Sequence, residues 1–246
     1  MISPRVLLLP LLVGALSCTH TSTGSKSGSA SESPSVEHRA PLKPAAKNVG
    51  IVVFPEVFIT EFVGPLDIYK HAGDAMNVFT VAANTDAIKT YEGVWFHADY
   101  AFSECPKIDV LVVPSGNGSM TTDLANAELV DFVKSRAKTA SYVTSHCWGA
   151  FTLGAAGCLD GKESTTFPGY TDQLAKSCPK TKIATDRRFV VDGNVITSSG
   201  GLAASEASLY VVEKLLGKAT ADKIATGLVF SPDNRRYASD PRIASN

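Results

Sequence analysis

Between positions 48 and 217, continuous apolar runs alternate along the chain with segments whose apolar residues have helical spacing. Four runs are almost continuously apolar, as is typical of strands buried on both faces of a parallel sheet. These runs are NVGIVVF (48–54), NVFTVAA (77–83), DVLVVP (109–114) and ASYVTS (140–145). Between them, residues 60–72 and 127–138 have the spacing of amphipathic helices. This alternation predicts a doubly wound α/β domain with a mostly parallel sheet sandwiched by helices.

The remaining patterned segments complete this prediction. KTYEGVWFHADY (89–100) reads as an antiparallel ribbon, and RFVVDGNVITS (188–198) as a hairpin that turns at Asp192-Gly193. Residues 148–157 and 203–216 are predicted helices, the second of which closes the domain. We therefore assign residues 48–230 to one folded domain and residues 231–246, which are polar, to a surface tail.

Residues 1–18 have the pattern of an export signal rather than of a domain. One basic residue, Arg5, precedes the apolar run LLLPLLVGAL, and small residues then lead to Cys18. The run is shorter than the roughly 20 residues that span a bilayer. The ending resembles a bacterial lipoprotein box, which predicts lipidation of Cys18 and an envelope protein anchored by lipid on the periplasmic side. Plain secretion to the periplasm or beyond, or a retained anchor, remain alternatives.

Residues 19–47 are rich in Ser, Thr, Gly and Pro and carry almost nothing apolar. Such a segment buries too little surface to offset its ordering entropy, so it is predicted to be a disordered tether. This is the arrangement that a lipid-anchored domain requires. An ordinary disordered N-terminus after a cleaved signal has the same composition.

Charge and cysteine spacing narrow the classes of function. The net charge is −1 and no basic run interleaves with aromatics, so a nucleic-acid partner is not expected. No C-x-x-C occurs and no Cys/His cluster has zinc spacing, so we predict neither a metal nor a cofactor. Export would permit disulfides, but the pairing of Cys105, Cys158 and Cys178 cannot be deduced.

The strongest chemical signal is YVTSHCWGAFTLGAAG, where a predicted strand turns directly into a predicted helix. Ser145 and Gly149 lie two residues before and after Cys147, as in a nucleophile elbow that exposes its central side chain. The elbow places the sulfur beside a helix N-terminus, whose partial positive charge favours the thiolate. Cys147 is therefore the predicted reactive nucleophile.

Four blocks in order resemble the ThiJ/PfpI superfamily, and within it the branch that contains isonitrile hydratase. The blocks are IVVFPEVFITEFVGPLDIY, DVLVVPSGNGS, YVTSHCWGAFTLGAAGCLDGKESTT and VVDGNVITSSGG. They span nearly all of residues 48–217. The resemblance implies a flavodoxin-like, glutamine-amidotransferase-like fold, while one fold hosts many activities.

The resemblance also implies roles for individual residues. Cys147 takes the place of the nucleophile, and Glu61 that of the acidic residue that contacts it. An ionised carboxylate would oppose thiolate formation, whereas a buried, protonated Glu61 would donate a hydrogen bond to the thiolate. The backbone N–H groups of Gly116 and Trp148 would form an oxyanion hole, with Gly116 as the main donor.

The sequence departs from this pattern at two places. Trp148 stands where relatives of this branch have a small hydroxyl residue, so its indole is expected to narrow or redirect the pocket. Phe167-Pro168 stands where relatives commonly have a histidine, which leaves Cys147 without a downstream histidine partner. His146 is an accessory candidate only, because adjacent strand residues point to opposite faces.

These observations support two classes of function. The first is a cofactor-independent cysteine enzyme acting on a small electrophilic substrate, with conversion of an isonitrile and water to an N-substituted formamide as the leading candidate. Glyoxalase- or deglycase-like chemistry would use the same residues. The second class is a non-catalytic module that binds a ligand or senses oxidants through Cys147. The family resemblance also implies a homodimer.

Overall fold

The computed structural model describes residue 39 and residues 41–230. The strands of this part of the chain are β1 (Lys47–Val52), β2 (Met76–Ala82), β3 (Ala87–Lys89), β4 (Trp95–His97), β5 (Tyr100–Ala101), β6 (Val110–Val113), β7 (Tyr142–His146), β8 (Glu163–Ser164), β9 (Lys182–Ile183), β10 (Phe189–Asp192) and β11 (Val195–Ser198). Its helices are α1 (Ile59–Lys70), α2 (Thr122–Ala125), α3 (Ala127–Ala137), α4 (Gly149–Ala155), α5 (Thr171–Ser177), α6 (Leu202–Leu216) and α7 (Lys218–Gly227).

The central sheet has the order β10-β11-β7-β6-β1-β2-β5. All neighbouring pairs are parallel except β10 and β11, which form an antiparallel hairpin at one edge. Every residue of β2 and β6 is buried, which explains why these strands read as almost continuous apolar runs, and every residue of β11 is buried as well. The predicted α/β fold with a mostly parallel sheet is confirmed.

Helices cover both faces of the sheet. On one face α1 packs against α6, and these two helices contact β1, β2, β7 and β11. On the other face α3 and α4 contact each other and β6, and α4 also contacts β7. Two-sided burial takes the sheet's apolar side chains out of water, which stabilises the fold by about 25 cal/mol per Å² of apolar surface.

The described elements agree with most of the predicted ones. The antiparallel ribbon consists of β3 and β4, and β5 then joins the main sheet beside β2. The prediction that residues 203–216 close the domain is wrong, because α7 follows α6 after Gly217 and packs against it. Gly217 has a φ of 87°, which ends α6 and redirects the chain.

The predicted tether lies mainly outside the described residues, as do Cys18 and the tail 231–246. Its last part is described: the backbone N–H of Lys43 donates to Oδ1 of Asn77 at 2.9 Å, and β1 begins at Lys47. Contact with the domain therefore begins before the predicted boundary at residue 48. Among the described helices, none has both the length and the apolar character needed to cross a bilayer.

Candidate active site

The site lies where the strand order of the sheet reverses. From β1 the chain first adds β2 on one side, and the later strands β6, β7 and β11 then extend the other side. In such sheets the crevice outside the carboxyl ends at this switch point is where ligands bind. The loops after β1 and β6 meet there, because Val57 forms a β-bridge with Gly116 and the Phe58 N–H donates to the Ser115 carbonyl at 2.9 Å.

Cys147 occupies a strained elbow between β7 and α4. Its φ is 54°, a left-handed value that a residue with a side chain rarely adopts. The conformation is held from two sides: the Cys147 N–H donates to the Ser198 carbonyl at 2.9 Å, and Thr166 Oγ1 donates to the Cys147 carbonyl at 2.8 Å. Gly149 is required because a Cβ there would overlap the carbonyl oxygen of Val113. The predicted elbow is present.

Glu61 lies in the first turn of α1 and is buried. Its Oε1 accepts a hydrogen bond from the Gly201 N–H at 2.8 Å, while the buried Oε2 has no hydrogen-bond partner among the described residues. Burial raises the pKa of this carboxyl from 4.5 to about 6, and the Gly201 N–H acts in the opposite direction. Glu61 is therefore ionised at neutral pH and has one oxygen available to accept a proton.

Gly200 brings the thiol and the carboxylate together. A Cβ built on Gly200 would lie 2.5 Å from Cys147 Cβ and 2.7 Å from Glu61 Oε1, so both side chains pack directly against this residue. Its φ of 90° also favours glycine. The predicted neighbourhood of Cys147 and Glu61 is thus present, with the Gly200-Gly201 turn between β11 and α6 as its support.

The charge state of the pair differs from the expected one. Burial, followed by the negative charge of Glu61, raises the pKa of the Cys147 thiol to about 12. The Ser115 hydroxyl and the Trp148 N–H lie near the sulfur and lower this pKa without reversing the shift. The helix that follows, α4, has only 7 residues. The expectation of a resting thiolate beside a protonated Glu61 is therefore wrong: at neutral pH the sulfur carries the proton and Glu61 the charge.

The structure changes the role of one of the two donors predicted for the oxyanion hole. The Trp148 N–H lies near the sulfur and lowers its pKa, and its role as an oxyanion donor stays a prediction. The Gly116 N–H, predicted as the main donor, instead donates to Ser119 Oγ at 2.8 Å, and Ser119 donates in turn to Asp123 Oδ2 at 3.2 Å. Because an N–H donor is committed once its hydrogen bond is made, the assignment of Gly116 as a free donor is corrected.

No histidine contacts the thiol within the described residues. His146 is fully buried, its Nδ1 lies 2.8 Å from Ser198 Oγ, and burial lowers its pKa to about 3. It is therefore neutral and packs beside the elbow rather than acting as the accessory partner that we considered. His71 ends α1, 3.2 Å from a carboxylate oxygen of Asp67, and His97 lies exposed on β4.

Trp148 joins four other aromatic residues in a cluster beside Cys147. This aromatic cluster consists of Phe58, Tyr91, Trp148, Phe167 and Tyr170. The Trp148 ring centroid lies 5.0 Å from that of Tyr170, 5.8 Å from Phe58 and 6.2 Å from Phe167. Trp148 and Phe167, the two positions at which the sequence analysis expects a departure from the family pattern, therefore contact each other.

Sequence reasoning missed the support around the pair. Ser198 and the Gly200-Gly201 turn were quoted within SSGG but given no role, although two adjacent glycines after a buried strand indicate a turn that requires positive φ. Phe58 precedes the first turn of α1 and Tyr170 the start of α5, and no local pattern marks either as part of the site. Only the fold brings them to Trp148.

The chain is similar to known proteins in sequence. The model of the DJ-1/PfpI family matches residues 47–214. Isonitrile hydratase of Pseudomonas putida is 33% identical over 187 residues, which cover 76% of this chain and 80% of that protein. Protein dj-1beta of Drosophila melanogaster is 26% identical over 186 residues, which cover 75% of this chain and 97% of that protein.

Solved structures agree with the sequence relatives. A ThiJ/PfpI family protein of Pseudomonas syringae superposes with a TM-score of 0.71 at 28% identity, over 80% of this chain and 84% of that one. Drosophila melanogaster DJ-1beta superposes with a TM-score of 0.68 at 27% identity, over 76% of this chain and 99% of that one. The fold and the site together define an α/β protein with a cysteine elbow at the switch point of its sheet. The chain belongs to the DJ-1/PfpI family.

Proposed function

We propose that this protein is a cofactor-independent cysteine enzyme that hydrates small electrophiles, with an isonitrile as the leading substrate and an N-substituted formamide as product. The observation that supports it best is the packing of Cys147 and Glu61 against Gly200, with one carboxylate oxygen that has no hydrogen-bond partner in the part of the chain that the structure describes. The likeness to an isonitrile hydratase over most of both chains supports the choice of substrate.

In the first step the thiol adds to the isocyano carbon. Glu61 Oε2 takes the proton as the sulfur attacks, so the nucleophile is generated only when the substrate is present. This suits a thiol whose pKa is about 12. The carbon–sulfur bond forms, and Glu61 returns the proton to the carbon, which gives a thioformimidate, R–N=CH–S–Cys147.

In the second step water completes the reaction. Glu61 accepts one proton from a water molecule as the water oxygen adds to the thioformimidate carbon, and passes that proton to the nitrogen. The carbon–sulfur bond then breaks, the hydroxyl proton of the adduct returns to the sulfur, and the product R–NH–CHO leaves. The sum is R–NC plus H₂O giving R–NH–CHO, with no oxidant or reductant. The Ser115 hydroxyl and the Trp148 N–H, both beside the sulfur, stabilise the charge that develops on it.

A non-catalytic oxidant sensor is the less favoured alternative. Peroxide reacts with the thiolate, and susceptibility follows thiolate character and exposure. Cys147 is buried and its pKa is raised, which opposes both requirements. Glyoxalase- or deglycase-like chemistry on a dicarbonyl would use the same thiol and base, so it is the second candidate enzyme activity.

Direct turnover assays distinguish these functions. Wild type and Cys147→Ala are incubated with a simple alkyl isonitrile and, separately, with methylglyoxal, and the formamide or hydroxyacid released is quantified by NMR. We expect formamide from the wild type and none above background from the variant. Equal rates for the two proteins would overturn the proposal. Turnover of methylglyoxal alone would favour the second enzyme activity, and stable Cys147 sulfinic acid after dilute peroxide, with no turnover, would favour sensing.

A further inference from the structure

The aromatic cluster surrounds the thiol through short links in the chain. The Phe58 carbonyl accepts from the Glu61 N–H at 3.1 Å, Trp148 follows Cys147, and Phe167 follows Thr166, which hydrogen-bonds to the Cys147 carbonyl. Three loops that hold the reacting groups thus each supply an aromatic ring. Because these links fix the rings to the backbone of the site, the cluster lies beside the reacting atoms.

The cluster is not sealed as an ordinary core would be. Phe167 is 44% exposed and Tyr91 57% exposed, so their rings face solvent. The Trp148 Nε1 is buried and has no hydrogen-bond partner among the described residues. A buried indole N–H normally has an acceptor, and leaving one unpaired has a cost. Apolar rings in water and an unpaired donor are the features of a site that a ligand completes.

Two carboxylates near the cluster are hydrogen-bonded to other groups of the protein. Glu56 accepts from Asn117 Nδ2 at 3.1 Å, and both carboxylate oxygens of Glu92 lie within 3.2 Å of the Ile59 N–H. These carboxylates serve the loop and the start of α1. The rings themselves offer stacking and edge-to-face contacts, which suit a flat apolar group.

We propose that the aromatic cluster is the binding site for an aryl substituent on the substrate, so that the protein acts on small aryl-bearing electrophiles in preference to methyl-sized ones. This rests on the proposed function for its role in turnover, but the binding preference does not require turnover. The substituent stacks on Phe167 and Tyr170 while its reactive carbon reaches Cys147. Trp148 thus redirects the pocket toward aromatic substrates instead of closing it.

Thiol-directed probes test the preference without any catalytic cycle. Methanethiosulfonates convert a thiol to a mixed disulfide and release methanesulfinic acid, with the proton passing from sulfur to the sulfinate. Methyl, benzyl and 2-(trimethylammonio)ethyl reagents are compared on the full chain, and the rate at Cys147 is measured by peptide mass mapping. Each rate is divided by that with glutathione, which removes the intrinsic reactivity of the reagent.

We expect the normalised benzyl rate to exceed the methyl rate about tenfold, since each aromatic pair contributes a factor of a few to about tenfold. Phe167→Ala and Tyr170→Ala should reduce this ratio to about 1–2 by removing those pairs. Trp95→Ala, which removes an exposed ring that lies over Lys89, should leave the ratio unchanged. Circular dichroism melting confirms that each variant is folded.

Three results would overturn the inference: a wild-type ratio near 1, a ratio that survives both ring removals, or a larger normalised rate for the trimethylammonium reagent, which would indicate a cation site. In a second experiment, the turnover rates of benzyl and methyl isonitrile are compared. Failure of all isonitrile turnover with an intact probe ratio would remove the proposed function and keep the aryl site. Isonitrile turnover with a probe ratio near 1 would keep the proposed function and remove the aryl site.

Discussion

Helix α4 has a buried cysteine near each of its ends, and the two cysteines share their burial and the direction of their pKa shift but little else. Cys147 forms the elbow just before the helix, whereas Cys178 ends α5 and packs against Gly154 in the last turn of α4. Burial is the largest cause of a raised pKa for both thiols. A nearby carboxylate, Glu61 or Asp160, adds to the shift in both cases. Neither pKa direction by itself therefore identifies a reactive cysteine.

The difference lies in what is directed at the sulfur. At Cys147 a hydroxyl and a backbone N–H lie close enough to lower its pKa, and the neighbouring buried carboxylate has one oxygen without a hydrogen-bond partner among the described residues. Asp160 is instead paired with Lys180 on the surface, at 2.9 Å. The backbone differs as well, because φ is 54° at Cys147 and −128° at Cys178. A strained elbow with a buried base thus distinguishes a candidate nucleophile from a packed thiol.

Removing each sulfur in turn gives the largest expected contrast. Cys147→Ala should lower kcat/KM for an isonitrile by at least about 10³-fold, since the covalent route is lost. Cys178→Ala should stay within about twofold, because that thiol only packs against the helix. Steady-state kinetics of both variants measures the contrast. A comparable loss in the two would place the effect in the stability of α4 rather than in the chemistry.

Removing the base should have the next largest effect. Glu61→Gln keeps an acceptor for the Gly201 N–H but cannot take a proton, so kcat/KM should fall by about 10²–10⁴-fold. In the wild type, kcat/KM should rise with pH through about 6, as Glu61 becomes ionised. The pH profile of each protein is the measurement. An unchanged acid limb in Glu61→Gln would show that another group is the base.

The sequence predicts the cysteine elbow far better than the residues that surround Cys147 in the folded protein. The elbow is local: Ser145, Cys147 and Gly149 lie within five residues, and their spacing reports the turn directly. The sheet is also predictable, because a central strand that is buried on both faces needs apolar residues at successive positions. Contacts across the fold leave no such local trace, and the Gly201 N–H that holds Glu61 is 140 residues away from it.

Charge states are the least predictable part of the site. A helix N-terminus favours a thiolate, and that expectation uses only local information. The structure adds desolvation and the charge of Glu61, which together outweigh the helix. Likewise, Gly116 follows β6 as a potential donor, but whether its N–H is free depends on the position of Ser119. The sequence specifies donors, while packing decides which of them are free.

Two glycines with positive φ, Gly200 beside Cys147 and Glu61 and Gly157 beyond α4, should differ less in their effect on activity. Gly200→Ala should lower kcat/KM about 10²-fold, because its Cβ would displace Cys147 and Glu61 from their geometry. Gly157, just beyond α4, also has a positive φ, 76°, but nothing lies within 4 Å of a Cβ there. Gly157→Ala should therefore cost only the backbone strain, about 1–2 kcal/mol, with activity within about twofold. Kinetics and urea unfolding separate the two effects. Equal activity in both variants would mean that the Gly200 turn does not position the pair.

The smallest expected effect is on stability, and the difference between Glu61→Gln and wild type isolates it, because the buried His146, whose pKa burial lowers, titrates alike in both proteins. The folded state holds the Glu61 proton more tightly than the unfolded chain, since its pKa is about 6 rather than 4.5. The stability that Glu61 contributes is therefore fully present below about pH 4.5 and is lost as pH rises through about 6, by about 2 kcal/mol in all. Glu61→Gln does not titrate, so its advantage over wild type should grow from near zero at pH 4 to about 2 kcal/mol at pH 8. Urea unfolding across this range measures it, with Thr60→Ala, an uncharged change on the exposed side of α1, as the pH-independent control. A constant difference between Glu61→Gln and wild type would mean that burial of this carboxylate carries no energetic cost and that Glu61 is not a poised base.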